Sequence, residues 1–229
     1  MAASDKKGFK GFPKKAVIFF LSIKGNNNKA WFEEHKQDYL ENVLKPAQEL
    51  VRDLSGSMLK IDPQINTNPA KIIARIYRDV RFSKDKSPYK SRLFFTFKRP
   101  GDEWMDAPGF YFEIDHESYG FGMGIYDASL ETMKTFRAKI EADPAEFFKT
   151  TAFYRKKGSM FELGGDRYKR PKFETKNEKL REWFMMKNFY FYCHRPADKI
   201  LTSPKLEALM EKGYKELAPL YKYLWKLKG

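Results

Sequence analysis

The sequence predicts an α+β fold: a single domain in which an antiparallel sheet has helices packed mainly on one face. Towards both ends of the chain, apolar residues recur every three or four positions, which is the spacing of a buried helix face. Between residues 92 and 126 apolar residues alternate instead, along three short segments with short connections. That pattern is typical of neighbouring antiparallel strands. A chain of 229 residues lies within the range of one large domain.

The N-terminal part of the chain predicts two helices. The first covers residues 12–23 and has Pro13 near its start. The second is long, because Asn28 is a good N-cap and the apolar face that follows extends to Leu54. Pro46 lacks a backbone N–H, so we expect it to kink or split this helix.

The alternating segments predict three strands, over residues 92–98, 109–115 and 118–126. Three glycines alternate along the last of them, at positions 120, 122 and 124, so one face of that strand carries no side chains. Another part of the protein can therefore approach the backbone closely. We expect a helix packed against this stripe, and the alternative is the floor of a pocket.

The C-terminal part predicts further helices after the strands. Helical spacing returns over residues 128–141, and Asp143, followed by proline and then glutamate at its third position, is typical of a helix start. Residues 159–193 show mixed patterns that end in a strand-like aromatic run. After residue 204 a closing helix is predicted, with an interruption at Pro219.

The net charge of the chain indicates which kinds of partner it is expected to bind. Lys and Arg number 44 and Asp and Glu 30, giving a formal net charge of +14. Such a charge indicates nucleic acid, an anionic membrane or a small anionic ligand as a partner, or simply a well-solvated surface. The longest early apolar run, residues 16–21, is too short to span a bilayer. We therefore expect no membrane partner, which leaves nucleic acid or a small anionic ligand.

The cysteine content and the N-terminus indicate a cytoplasmic location. Cys193 is the single cysteine, so a disulfide within the chain is impossible, and its aromatic surroundings predict a buried thiol. Residues 1–10 lack the apolar stretch of a signal peptide. They are predicted to form a flexible basic tail, and the domain is predicted over residues 11–229.

Residues 75–92 are the strongest candidate for a functional segment. They contain seven Lys or Arg and two Asp without a helical or strand period, and Pro88 excludes a central strand. The planar guanidinium groups of Arg78 and Arg81 suit bidentate binding of phosphate or carboxylate. The anion-binding residues predicted here carry a positive charge or a phenol: Arg75, Tyr77, Arg78, Arg81, Lys84, Lys86, Tyr89 and Lys90. The alternative is that ion pairs within the segment only lock a loop.

A second basic cluster follows later in the chain. It contains Arg167, Lys169, Arg170 and Lys172, with Arg155, Lys156 and Lys157 upstream. Two interpretations remain open: the cluster faces the first one across a groove, where Arg167, Lys169 and Arg170 contribute to anion binding, or it is an ordinary solvated hairpin.

Four segments together resemble a known family. They are the helix entry from Asn26 to Phe32, the block from Arg78 to Lys90, the glycine-rich strand from Tyr119 to Tyr126, and the segment from Gly164 to Lys172. In these motifs the chain resembles domain-of-unknown-function family 2461, and the resemblance covers most of its length. The resemblance implies family membership and supplies no reaction.

The sequence contains few groups suited to catalysis. It has no P-loop and no nucleophile elbow, and its three histidines are far apart. Asp79 is the candidate acid or base of an enzyme that holds a small anionic substrate between Arg78 and Arg81. Glu113 and Asp115 share one strand face, where Mg²⁺ binding is less common than simple solvation, so no metal and no cofactor is predicted.

Three hypotheses about function remain open at this point. The first is binding of a phosphate-bearing or other anionic ligand, with nucleic acid as the first candidate. The second is the enzyme just described. The third is an interaction or structural module without a ligand.

Overall fold

The computed structural model of the protein describes residues 8–81, 84–101 and 106–227. Residues 1–7 of the predicted basic tail, and Phe82 and Ser83 of the predicted functional segment, lie outside the described residues. The start of the domain at residue 11 therefore stays a prediction.

The described strands form a five-stranded antiparallel sheet. Its strands are β1 (Leu93–Phe97), β2 (Gly109–Ile114), β3 (Ser118–Ile125), β4 (Glu162–Gly164) and β5 (Phe189–Pro196). Their order in the sheet is β1-β2-β3-β5-β4, and in the pairing of β4 with β5 Glu162 lies opposite Tyr192. The predicted α+β class in a single domain is confirmed.

Helices precede, connect and follow the strands. The α-helices are α1 (Lys14–Gly25), α2 (Lys29–Tyr39), α3 (Lys45–Ile61), α4 (Pro69–Ile72), α5 (Leu130–Ala142), α6 (Pro144–Thr151), α7 (Arg181–Phe184) and α8 (Lys205–Trp225). Single 3₁₀ turns lie at Ala152–Arg155 and Glu178–Leu180. None of the described helices is long and apolar enough to cross a lipid bilayer.

The long helix predicted after Asn28 exists, with a break of a defined kind. The Asn28 side chain caps α2 by accepting a hydrogen bond from the Trp31 amide. A π-helical turn over Leu40–Leu44 separates α2 from α3. Pro46 follows directly, and because it cannot donate to the helix ladder, the wider turn ahead of it is the predicted split.

The helix at the C-terminal end departs from the prediction. Pro219 lies inside α8, which continues through it from Lys205 to Trp225, so the predicted interruption is wrong. Pro219 lies at an exposed position of the helix. The predicted cap at Asp143 is confirmed, since its carboxylate accepts a hydrogen bond from the Glu146 amide.

The chain divides into two compact units by its backbone contacts. Unit 1 comprises the described residues within Met1–Phe97, Phe112–Gly120 and His194–Glu211. Unit 2 comprises those within Lys98–Tyr111, Phe121–Cys193 and Lys212–Gly229.

Each unit has its own aromatic core. In unit 1, Phe12 stacks on Phe112 with ring centroids 5.8 Å apart. In unit 2, α8 places Tyr221 4.8 Å from the ring of Phe110, and Phe136 of α5 contacts Phe189 at 4.9 Å. Helices α5 and α8 therefore pack against residues of the sheet in unit 2. Cys193 is buried as predicted.

The structure corrects the expectation for the glycine stripe. A side-chain carbon at Gly122 would collide with the carbonyl oxygen of Phe191 and would lie 3.0 Å from the ring of Tyr111. At Gly124 it would collide with the backbone of Tyr190. The glycines therefore accommodate strand β5 and tyrosine side chains, whereas a helix was expected there.

Candidate ligand-binding cleft

The functional segment predicted over residues 75–92 folds as two extended arms with a loop between them. Bridges pair Ile73 with Phe95 and Tyr77 with Tyr89 in antiparallel fashion. The Lys90 amide donates to the Ile76 carbonyl at 2.8 Å. The arms thus continue strand β1 as an irregular ribbon, and the loop occupies positions 78–88, of which 82 and 83 are not described.

An asparagine of the preceding helix connection fixes the second arm. The Asn27 side-chain amide donates to the Tyr89 carbonyl and accepts from the Tyr89 amide, both at 3.0 Å. These two bonds satisfy the backbone N–H and C=O of Tyr89, as a neighbouring strand would. The neighbouring asparagines serve α1 and α2: Asn26 donates to the Ser22 carbonyl and Asn28 is the N-cap. The asparagine run therefore anchors the ribbon to the N-terminal helices.

Arg78 holds the loop closed. Its guanidinium donates to the carbonyls of Ser87 and Tyr89 at 3.1 and 3.2 Å, and it pairs with Asp85 at 2.9 Å. The Asp85 carboxylate also accepts from the Ser87 amide, and that bond lowers the pKa of Asp85. Only 22% of the Arg78 side chain is exposed. These contacts favour a structural role for Arg78.

Arg81 and Asp79 form a bidentate pair on the surface. Two guanidinium nitrogens donate to the two carboxylate oxygens at 3.0 and 2.8 Å. The hydrogen bond from Arg81 lowers the pKa of Asp79 to about 2. Asp79 is thus ionised at neutral pH and is a weak base, properties that do not suit the proposed acid–base role.

The lysines of the segment are held by backbone carbonyls. Lys86 donates to the Val80 carbonyl at 2.7 Å, and Lys90 donates to the Arg75 carbonyl at 2.8 Å. Lys84 is exposed. An ammonium group has three donors, so Lys86 and Lys90 each keep hydrogen-bonding capacity.

Positive charge is concentrated around Lys90. Burial lowers the pKa of Lys90, and the nearby charges of Arg75, Arg78 and Arg92 lower it further. Two of these arginines have carboxylate partners, because Arg78 pairs with Asp85 and Arg92 pairs with Glu113 at 3.2 Å. No described carboxylate forms an ion pair with Arg75 or with Lys90. Arg75 and Lys90 therefore lie close together without an ion pair to a described carboxylate.

A cleft of about 250 Å³ lies beside Arg75 in unit 1. It lies between the end of α2, the π-helical turn, α3, α4 and the first arm of the ribbon. Its apolar walls come mainly from Leu44, Pro69, Ala70, Ile73 and Ile76. Its polar groups are the side chains of Tyr39, Gln48, Arg75 and Tyr77.

The side chains of these four polar residues make no hydrogen bond to any described residue. Tyr39 is the most informative of them, because only 7% of the residue is exposed while its hydroxyl has no protein partner in the described structure. Burial raises the pKa of Tyr39 to about 12, and the Tyr77 phenol nearby adds to the effect. The hydroxyl therefore stays protonated at neutral pH and is able to donate. An apolar cleft with a few unsatisfied polar groups is the usual form of a small-molecule site.

The π-helical turn contributes to this geometry. It begins directly after Tyr39 and ends at Leu44, and both residues line the cleft. A π turn is energetically unfavourable and is frequent at functional sites. The π-helical turn that separates α2 from α3 therefore connects two residues that line the cleft.

Of the predicted tyrosines, only Tyr77 lies at the cleft. Tyr77 is half exposed and its ring contacts Phe32 at 6.0 Å. Tyr89 is 3% exposed and stacks on Phe32 at 4.2 Å, which makes it a core residue of unit 1.

The second predicted cluster lies in unit 2. Arg167 pairs with Glu182 at 2.7 Å. Lys169 and Arg170 are exposed and form no ion pair with a described residue. The roles of Arg167, Lys169 and Arg170 in anion binding stay predictions.

Sequence patterns identified half of the cleft's polar groups. Arg75 and Tyr77 were predicted, whereas Tyr39 and Gln48 were not. Tyr39 lies on the apolar face of a helix, where a tyrosine is ordinarily a core residue. Its one distinguishing signal is the nearby Pro46, which marks a helix irregularity.

The chain matches one family model, described as "Conserved hypothetical protein (DUF2461)", over residues 15–223. No curated protein matches the sequence significantly.

Proposed function

The chain belongs to the DUF2461 family of conserved hypothetical proteins, and we propose that it binds a small anionic ligand in the cleft of unit 1. The ligand carries a phosphate monoester or a carboxylate, and a compact apolar body. One observation carries the proposal: four polar side chains, among them the buried Tyr39, line an apolar cleft without a hydrogen bond from any described residue.

Each part of the cleft has a role in binding. The Arg75 guanidinium, without a described carboxylate partner, pairs with the anionic group, and the ammonium of Lys90 nearby adds positive charge. The hydroxyls of Tyr39 and Tyr77 and the amide of Gln48 orient the ligand by hydrogen bonds. The apolar walls bury the remainder of the ligand, which supplies affinity.

The cleft favours a small ligand over a polynucleotide. A polyanion is bound by a row of unpaired cations that follow its phosphates. In the described part of the loop, however, Arg78 and Arg81 are paired with Asp85 and Asp79. Nucleic acid is retained as one source of the phosphate group, and the experiment below includes it.

Binding is also favoured over catalysis. The carboxylate named for acid–base chemistry, Asp79, is bonded to Arg81 through both oxygens and does not line the cleft. The polar groups of the cleft are a guanidinium, two phenols and an amide, which suit recognition.

Calorimetric titration with phenyl phosphate and benzoate tests the proposal, with phenol as the uncharged control. We expect the two anions to bind and phenol to bind much more weakly. Arg75→Ala removes a charged hydrogen-bond donor, a loss of about 1.5–3 kcal/mol, so affinity should fall by about tenfold to a hundredfold.

Arg52→Ala is the matched control. Arg52 is an exposed arginine of α3 in the same unit and does not line the cleft. Its variant should bind phenyl phosphate as the wild type does. Equal losses in the two variants would show that bulk charge attracts the anion. A single-stranded oligonucleotide that binds more tightly than phenyl phosphate, with the same dependence on Arg75, would make a polynucleotide the ligand.

A further inference from the structure

A second concentration of unpaired positive charge lies in unit 2, around a buried arginine. Arg137 belongs to α5 and is 4% exposed. Its guanidinium donates to the carbonyls of Phe184, the last residue of α7, and of Met186, two positions later. It also stacks on the ring of Phe173, with Cζ 4.1 Å from the ring centroid.

The charge of Arg137 has no described counterion. Its Nη1 is shielded from solvent and has no hydrogen-bond partner, and no described carboxylate forms an ion pair with the guanidinium. Burying a charged group without an opposite charge is costly. Burial accordingly lowers the pKa of Arg137.

Two lysines add to this charge instead of balancing it. The ammonium groups of Lys172 and Lys187 each lie 5.4 Å from the ring centroid of Tyr168. The Tyr168 ring contacts Phe173, the residue stacked on Arg137, at 5.8 Å. Neither lysine forms an ion pair with a described carboxylate. Three cations thus surround one pair of aromatic rings.

The neighbouring acidic residues are engaged elsewhere. The Glu182 carboxylate accepts from Arg167 at 2.7 Å, and the Asp166 carboxylate accepts from the Asn188 side chain at 3.1 Å. These bonds hold the segment that carries Tyr168, and neither carboxylate forms an ion pair with Arg137, Lys172 or Lys187.

We propose that Lys172, Lys187 and the Tyr168 hydroxyl bind a phosphate group, whose negative charge compensates the buried guanidinium of Arg137. The two ammonium groups provide direct charge-assisted hydrogen bonds. Arg137 contributes through its field, which is strong because its surroundings exclude water. This site lies within unit 2 and is separate from the Arg75 cleft.

Protection of lysines from acetylation tests the site locally. The wild-type protein is treated with acetic anhydride in the presence of inorganic phosphate or of sodium chloride at equal ionic strength. Mass spectrometry then gives the extent of acetylation at each lysine. Phosphate should protect Lys172 and Lys187 severalfold and leave Lys156 and Lys157, exposed lysines of the same unit, unprotected. Equal protection of all four would overturn the proposal.

Calorimetry with inorganic phosphate provides the second measurement. The Lys172→Ala/Lys187→Ala variant should lose about tenfold or more in affinity, whereas Lys156→Ala/Lys157→Ala should match the wild type. Because all four substitutions are at exposed positions, folding is not at risk. Equal affinity of the two variants would contradict the proposal.

Two further experiments identify the source of the phosphate and distinguish this site from the Arg75 cleft. If an oligonucleotide protects the two lysines at a lower concentration of phosphate groups than inorganic phosphate does, the site binds a nucleic-acid backbone. If inorganic phosphate protects them at the lower concentration, the site binds free phosphate or small phosphate esters. Arg75→Ala should leave the protection of Lys172 and Lys187 intact. Failure of this site and failure of the cleft are therefore distinguishable.

Discussion

Arg78 and Arg81 are three positions apart and are engaged in different ways. Arg78 donates to two backbone carbonyls and is largely covered, whereas Arg81 pairs with Asp79 on an exposed surface. Charged hydrogen bonds contribute about 1.5–3 kcal/mol when their loss leaves buried acceptors unpaired. Exposed ion pairs contribute little.

Substitutions at the two positions should therefore have different effects on the free energy of unfolding. We expect Arg78→Ala to lower the free energy of unfolding by about 1.5–3 kcal/mol, because the Ser87 carbonyl loses its side-chain donor and the Tyr89 carbonyl keeps only its bond from Asn27. Arg81→Ala should unfold as the wild type does. Urea denaturation of both variants is the measurement, and a large loss for Arg81→Ala would show that its pair with Asp79 has a structural role that its exposure conceals.

Lys98 gives the molecule a pH dependence that can be measured. Burial lowers its pKa to about 8, against an ordinary lysine value of about 10.4. Between these values the unfolded chain holds a proton that the folded chain has released, so the free energy of unfolding rises with pH through this window. Relative to Lys98→Met, the wild type should thus gain stability from pH 8 to pH 10.

The comparison removes the contributions of other titrating groups, which both proteins share. Lys156 is an exposed lysine of the same unit, so the free energy of unfolding of Lys156→Met should change with pH as that of the wild type does. If the free energy of unfolding of Lys98→Met also changed with pH as that of the wild type does, Lys98 would keep its ordinary pKa in the folded protein.

At the scale of elements, strand β3 depends on its glycines. A side chain at Gly122 would collide with the Phe191 carbonyl of β5. Because that obstacle is backbone, the strands must separate to admit even a methyl group. We expect Gly122→Ala to lower the free energy of unfolding by about 1–3 kcal/mol, measured by denaturant unfolding.

Gly56 provides a control of opposite sign. It lies in helix α3, and a side-chain carbon there would meet no atom within 4 Å. Gly56→Ala should raise the free energy of unfolding by about 0.5–1 kcal/mol, because alanine favours the helix. A stabilised or unchanged Gly122→Ala would show that β3 and β5 are less closely paired than described.

The elements also show how far the sequence could predict the structure. The three strands of the meander and the caps at Asn28 and Asp143 follow from local patterns, because alternation and capping involve residues close in sequence. The partner of the glycine stripe did not follow, since Gly122 meets Phe191 of a strand far along the chain. Pro219 was misjudged because an exposed proline is tolerated in a helix held by burial of its other face.

At the scale of the whole molecule, the net charge of +14 indicated an anionic partner without placing it. In the structure, some of the cations pair with carboxylates and others do not. Arg78, Arg81, Arg92 and Arg167 have carboxylate partners, whereas Arg75 lines a cleft without one. A pattern of charges along the chain cannot reveal which are paired, because the pairing depends on the fold.

The function proposed for the molecule depends on polar groups that the fold leaves unsatisfied. Tyr39 is the clearest case, because the residue is buried in unit 1 and lines the cleft, and its hydroxyl has no hydrogen-bond partner among the described residues. A hydroxyl retained for ligand binding contributes nothing to stability, and its removal costs the folded protein nothing.

The most direct test is therefore Tyr39→Phe, with thermal unfolding and calorimetric titration of phenyl phosphate measured on the same protein. We predict an unchanged or higher melting temperature together with an affinity reduced by about fivefold to tenfold, the loss expected for one neutral hydrogen bond. A lower melting temperature with unchanged affinity would contradict the account, because the hydroxyl would then serve the fold and not a ligand.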